Sequence, residues 1–105
     1  MTRKRDAALT RAEVLGTVAS HADELRRLGV RQLALFGSVA RGEGQAGSDL
    51  DFLVELSPKT FDSYMDAKLL LERLFGVRVD LVLTQTLKPR LRESILREAV
   101  HAAGF

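Results

Sequence analysis

Between residues 11 and 28 the apolar positions recur at the spacing of one helix face. Leu15, Val18, Ala22 and Leu25 follow the i, i+3, i+7 pattern, and Ala19 and Leu28 widen the stripe. Thr10 and Glu13 have the spacing of a capping box at its start, and Gly29 is a natural stop at its end. A short apolar run from Gln32 to Phe36 ends at Gly37; it is too short for a helix and reads as a strand. Residues 42–48 are glycine-rich and read as a loop. From 49 to 56 the pattern alternates: Leu50, Phe52, Val54 and Leu56 share one face, and Asp49, Asp51, Leu53 and Glu55 the other.

A second helix is expected from about Asp62 to Phe75, with Met65, Leu69, Leu70 and Leu74 inward and Gly76 as its stop. Residues 77–83 alternate again, with Val79, Leu81 and Leu83 opposite Arg78, Asp80 and Val82. A last helix over roughly 89–102 carries Leu91, Ile95, Leu96, Ala99 and Val100, with Pro89 in its first turn. Leu28-Gly29-Val30-Arg31 and Phe75-Gly76-Val77-Arg78 reuse one helix-to-strand turn. The strands that follow them differ, so this is shared turn chemistry and not a repeat. The order predicts an α/β fold: a small mixed sheet covered by helices, its apolar strand faces against them and its Asp-bearing faces left open.

Composition narrows the chemistry. The chain has 105 residues and no Pro- or Ser-rich linker, so one domain over 1–105 is expected. Without cysteine there is no disulfide framework, no thiol nucleophile and no Cys-held metal; His21 and His101 are too few and too isolated for a His-built site. Any metal must be held by oxygen, which points to Mg²⁺ or Mn²⁺. The net charge is only +2, from 16 basic and 14 acidic residues. The basic excess gathers at the ends, around Arg3, Lys4, Arg5 and Arg11 and around Lys88, Arg90, Arg92 and Arg97. Without interleaved aromatics these read as solvated faces, not a nucleic-acid track. No apolar run approaches the ~18 residues of a membrane span, and no signal-peptide pattern opens the chain, so a cytoplasmic protein is expected.

The sharpest feature is Gly37-Ser38 followed, ten residues later, by Asp49-Leu50-Asp51. Gly37 ends a strand and lets a ligand approach the backbone with no Cβ in the way. If Ser38 to Arg41 open a helical turn, the free N–H groups and the Ser38 hydroxyl make an anion site. Asp49 and Asp51 lie two apart on a strand, so both carboxylates point the same way, with Cα atoms about 6.6 Å apart. Two such charges ~5 Å apart repel by about 3 kcal/mol at an effective dielectric of 20, a cost that a bridging divalent cation removes. If the strand bearing Asp80 is a neighbour, three carboxylates converge, a donor set for two Mg²⁺ ions about 4 Å apart. Read singly, each piece has a bland alternative: a turn, a solvated strand end, an Asp80–Arg78 pair. Arg41 either reaches a phosphate or lies on the surface beside Glu43.

Gly37-Ser38-Val39-Ala40-Arg41-Gly42 with Ser48-Asp49-Leu50-Asp51-Phe52 resembles the signature of the minimal nucleotidyltransferases, the smallest members of the DNA polymerase β-like superfamily. Val79-Asp80-Leu81-Val82 is similar to the strand that supplies their third metal-binding acid, and the resemblance spans about residues 30–103. It implies the minimal nucleotidyltransferase fold, Mg²⁺ dependence, and transfer of AMP from ATP to a hydroxyl with release of pyrophosphate. Position by position it implies that Gly37 and Ser38, with Arg41, hold the nucleotide. Asp49 and Asp51 would bind both metals, and Asp80 the catalytic metal. It further implies a HEPN-type toxin as partner, neutralised by AMP placed on a tyrosine, and so a homo- or hetero-oligomer. Two alternatives stand beside this reading: a non-catalytic antitoxin acting by occlusion, and a small-molecule nucleotidyltransferase completed by a second subunit.

Overall fold

The central sheet has four strands in the order β3-β2-β1-β4, from β1 (Val30–Phe36), β2 (Leu50–Leu56), β3 (Val79–Leu83) and β4 (Val100–His101). The computed structural model describes residues 8–105, so the basic group Arg3, Lys4 and Arg5 lies outside the described residues. β1 runs antiparallel to both β2 and β4, and β2 runs parallel to β3. The sheet is therefore mixed, as the order of elements predicted. The parallel pair is joined by α4 (Phe61–Phe75), the helical crossover that a parallel connection requires.

The predicted N-terminal helix is two helices, α1 (Arg11–Ser20) and α2 (Ala22–Arg27). The capping box is present, with Thr10 and Glu13 each bonding the other's backbone N–H. The break falls at His21, where side chains compete for backbone carbonyls: Ser20 Oγ donates to Gly16 O at 3.0 Å, and His21 Nδ1 lies 2.9 Å from Thr17 O. The buried stripe is Val14, Val18, Ala22 and Leu25. Val14 thus replaces the expected Ala19, which is exposed, and Leu15 is only half-buried.

In α4 the inward face is rotated from the expected one. Ala67, Leu70, Leu71 and Phe75 are buried, whereas Leu69 is 51% exposed and Met65 and Leu74 are half-buried. Gly76 ends the helix in the left-handed conformation, at φ 66°. Leu50, Phe52, Val54 and Leu56 all face the core, with Val79 and Leu81 beside them, and Phe52 meets Phe75 at a centroid separation of 6.3 Å. The opposite sheet face is not wholly open, because Leu53 is buried there.

The expected last helix ends early. α5 spans Pro89–Glu98, and the chain then adds β4, whose Val100 and His101 pair with Leu35 and Ala34. No α5 residue is buried; Lys88, just before it, and its Arg90, Arg92 and Arg97 are exposed, as a solvated basic face should be. Among the described residues no helix is long and apolar enough to cross a membrane.

Candidate active site

One rung of the sheet organises the site. Phe36, the last residue of β1, pairs with Asp51 on β2, and Asp51 pairs in turn with Asp80 on β3. Strand alternation sends the Asp51 and Asp80 side chains to the same sheet face, away from Phe52 and Leu81 in the core. Their backbones are neighbours at about 4.8 Å, the interstrand spacing. The conditional expectation that the two acid-bearing strands are adjacent is met.

Immediately after Phe36 the chain turns at Gly37, with φ 82°, into the short helix α3 (Gly37–Ala40). A Cβ on Gly37 would overlap Asp51 Oδ2 and sit 3.0 Å from Asp51 Cγ, so the turn and the carboxylate are in close approach. Val39 and Ala40 are buried and fix α3 against the sheet; Arg11 Nη1 donates to Ala40 O at 3.1 Å and ties α1 to the same turn. Ser38 is half-buried, and its carbonyl accepts from the Glu43 N–H at 2.8 Å, closing the loop onto α3.

The electrostatics of Asp51 follow from this position. Partial burial pushes its carboxyl pKa up, and the negative charges of Asp80 and Asp49 push it further; Arg41 opposes them, and Glu98 adds to them. Asp51 is thus a carboxylate held where its negative charge is unwelcome. Asp49 precedes β2, is exposed, and is not pinned by a strand pair. Among the described residues, no three acidic, His or Cys side chains converge as a ready-made metal group. The expected three-carboxylate convergence appears as a two-acid rung of Asp51 and Asp80 with Asp49 at its flank. The donor chemistry still fits Mg²⁺: it prefers oxygen, and it is commonly held by one or two carboxylates together with substrate phosphates, not by an all-protein cage.

Arg41, at the end of α3, lies between two acids. Its Nε donates to Glu43 at 2.9 Å, and its Nη1 donates to both oxygens of Glu98 at 3.2 and 3.3 Å. Glu98 Oε1 also accepts from the backbone N–H of Gly37 at 3.1 Å. Glu98 stands on the helix whose basic residues read as a solvated face; 61 residues separate it from Gly37, and no spacing rule connects them. A cleft of about 530 Å³ lies elsewhere, between the start of α4 and β3, lined by Phe61, Tyr64 and Leu81 among others and by none of the three acids.

Residues 18–101 match the nucleotidyltransferase domain family. The chain is 39% identical over 97 residues to protein adenylyltransferase MntA of Thermococcus cleftensis, covering 90% of this chain and 98% of that one. It also superposes on a solved structure assigned as a minimal nucleotidyltransferase, with 44% identity, a TM-score of 0.68, and coverage of 82% of this chain and 93% of the other. A complex of tri-AMPylated Shewanella oneidensis HEPN toxin with MNT antitoxin shares the fold, at 16% identity and a TM-score of 0.55 over 82% of this chain and 71% of that one. The chain belongs to the nucleotidyltransferases. Within them it is of the minimal, MNT type, and it is an enzyme of that class.

Proposed function

We propose that this chain is an Mg²⁺-dependent protein adenylyltransferase that moves AMP from ATP onto a tyrosine hydroxyl of a HEPN-type toxin and so acts as its antitoxin. The observation that carries the reading is the rung Phe36–Asp51–Asp80 with the Gly37 turn at its end, which sets an anion-accepting backbone beside two carboxylates. The name of the Thermococcus cleftensis relative supports AMP transfer to protein, and the Shewanella oneidensis complex supports a HEPN toxin as the acceptor.

In this reading Gly37 and Ser38 take the triphosphate on backbone N–H groups and the Ser38 hydroxyl, where a side chain at 37 would block its approach. Arg41 meets the same phosphates. Asp49 and Asp51 would hold Mg²⁺ together with the nucleotide, and Asp80 would add a third carboxylate ligand on the acceptor's behalf. Bound Mg²⁺ would supply charge neutralisation of the departing pyrophosphate and a lower pKa for the acceptor hydroxyl. The tyrosine oxygen forms its bond to the α-phosphorus as the bond from that phosphorus to the pyrophosphate oxygen breaks, and the phenol proton passes to solvent. The protein's part is chiefly positioning and charge stabilisation. The chain acts as one domain and leaves presentation of the acceptor to the partner.

Asp80→Asn tests the reading against simple occlusion. The variant keeps the strand pairing and the side-chain size; it is expected still to bind the toxin in a pull-down, to transfer almost no AMP and to lose protection of cells expressing the toxin. Full protection with no nucleotide on the toxin would overturn the enzymatic reading.

A further inference from the structure

The contact made by Glu98 goes beyond this reading and rests on it. The Glu98 carboxylate holds the same two groups that the proposed function assigns to phosphate: the Gly37 backbone N–H at 3.1 Å and the Arg41 guanidinium at 3.2 and 3.3 Å. A carboxylate on an N–H and an Arg presents oxygen acceptors where a phosphate would present them. Gly37 is buried, so its N–H would otherwise lack a partner away from water. We infer that Glu98 is an internal stand-in for the nucleotide's phosphate, a latch that closes the empty anion site and must be displaced before ATP can bind.

The latch is built to open. Glu98 is the last residue of α5, a helix with no buried residue and with Leu91 and Leu96 54% and 41% exposed. Its side chain is 32% exposed and has three rotatable bonds, so it can leave without moving the sheet. Once it swings away, Gly37 and Arg41 are both free, and one negative charge leaves the neighbourhood of Asp51, where a nucleotide and its cations would collect. A triphosphate, with more charge and more acceptors than one carboxylate, displaces it; between turnovers the carboxylate returns and keeps the buried N–H paired.

The latch and the alternative, in which Glu98 aligns Arg41 for phosphate, predict opposite signs. The Kd of AMP-PNP with Mg²⁺ would be measured by calorimetry on the wild-type chain, Glu98→Gln, Glu98→Ala and Glu93→Gln. Glu93 is exposed on the same helix and pairs only with Arg97 among the described contacts, so it controls for loss of one charge. Glu98→Ala is expected to bind at least about fivefold more tightly than wild type, as a charge-assisted competitor is removed. Glu98→Gln, which keeps a neutral acceptor, should fall between, and Glu93→Gln should match wild type. Thermal melts add a second readout: without nucleotide Glu98→Ala should melt lower, its Gly37 N–H now orphaned, yet gain more from AMP-PNP than wild type does. Unchanged or weaker binding by Glu98→Ala, or equal tightening by Glu93→Gln, would overturn the latch while leaving the nucleotide site standing. Absence of AMP-PNP binding by all four proteins would overturn both together. Should Glu98→Ala fail to fold, the order of Glu98→Gln against wild type decides.

Discussion

Gly37→Ala separates the two demands that the structure makes at one position. The backbone there has φ 82°, and moving an L side chain into that region costs about 1–2 kcal/mol. The added Cβ would also overlap Asp51 Oδ2 and lie 3.0 and 3.1 Å from Asp51 Cγ and Cβ. The carboxylate end can swing off its rotamer, at roughly 0.5–1.5 kcal/mol, but the Asp51 Cβ is fixed by the strand. The total is about 1.5–3.5 kcal/mol, which for a domain near this size lowers Tm by about 7–17 °C. Gly42→Ala is the internal control: φ is 76°, and a Cβ there meets nothing within 4 Å, so only the backbone cost of about 1–2 kcal/mol applies. In an Asp51→Ala background the extra cost of Gly37→Ala should fall by about 1 kcal/mol, a coupling that a double-mutant cycle reads directly. Displacement of Asp51 should also reduce AMP transfer by about 100-fold, since misplacing a reacting group by 1 Å costs that much. Denaturant melts and a transfer assay on the same preparations make the test. If Gly37→Ala is no more harmful than Gly42→Ala in either measurement, the close approach of turn and carboxylate is not what the site depends on.

Two acids should titrate stability in opposite directions. For Asp51, burial and then Asp80 and Asp49 raise the folded-state pKa, so the unfolded chain releases this proton first, and rising pH through the carboxylate range favours unfolding. Asp51→Asn should therefore be more stable than wild type at neutral pH in EDTA, with the gain fading as the pH falls below that range; a constant gain at all pH values would contradict the assignment. For Glu72, the Val79 backbone N–H lowers the pKa most, burial opposes it, and Lys68 lowers it further, so the carboxyl lies below its ordinary value. Its stabilisation is present above the ordinary carboxylate value and lost as the pH falls through the depressed one. Glu72→Gln should be less stable than wild type at neutral pH and converge with it in acid, as pH-dependent chemical denaturation would show.

The strands were legible because alternation has little freedom: Leu50, Phe52, Val54 and Leu56 have only one face to share, and burying it sends Asp51 outward. Adjacency of the Asp51 and Asp80 strands was a conditional expectation, since a pattern gives faces but not neighbours. The helix faces were less determined. Leu69, Leu70 and Leu71 are consecutive, so several stripes satisfy the helical period, and contact with β2 and β3 selects Ala67, Leu71 and Phe75. Ala19 and Val14 are both apolar and differ in which one joins the core cluster. β4 is two residues long and exists only through pairing with β1, a tertiary bond with no local signal. Glu98 was missed for the same reason. Its partners are at 37 and 41, and a charge at the end of an amphipathic helix ordinarily reads as solvated. The Gly-Ser turn and Asp-x-Asp pair could be found because their chemistry is local, whereas the group that closes over them is brought in by the fold.

The central claim is AMP transfer to a partner protein by the acids of the β2–β3 rung. Its most direct test is intact mass spectrometry of a HEPN-type toxin incubated with ATP, Mg²⁺ and this chain, in parallel with Asp51→Asn and Asp80→Asn. The account predicts that the toxin gains one or more AMP masses with the wild-type chain, that fragmentation places them on tyrosine, and that both variants and an EDTA control add none. An unmodified toxin with the folded wild-type chain, or equal modification by the two variants, would contradict it.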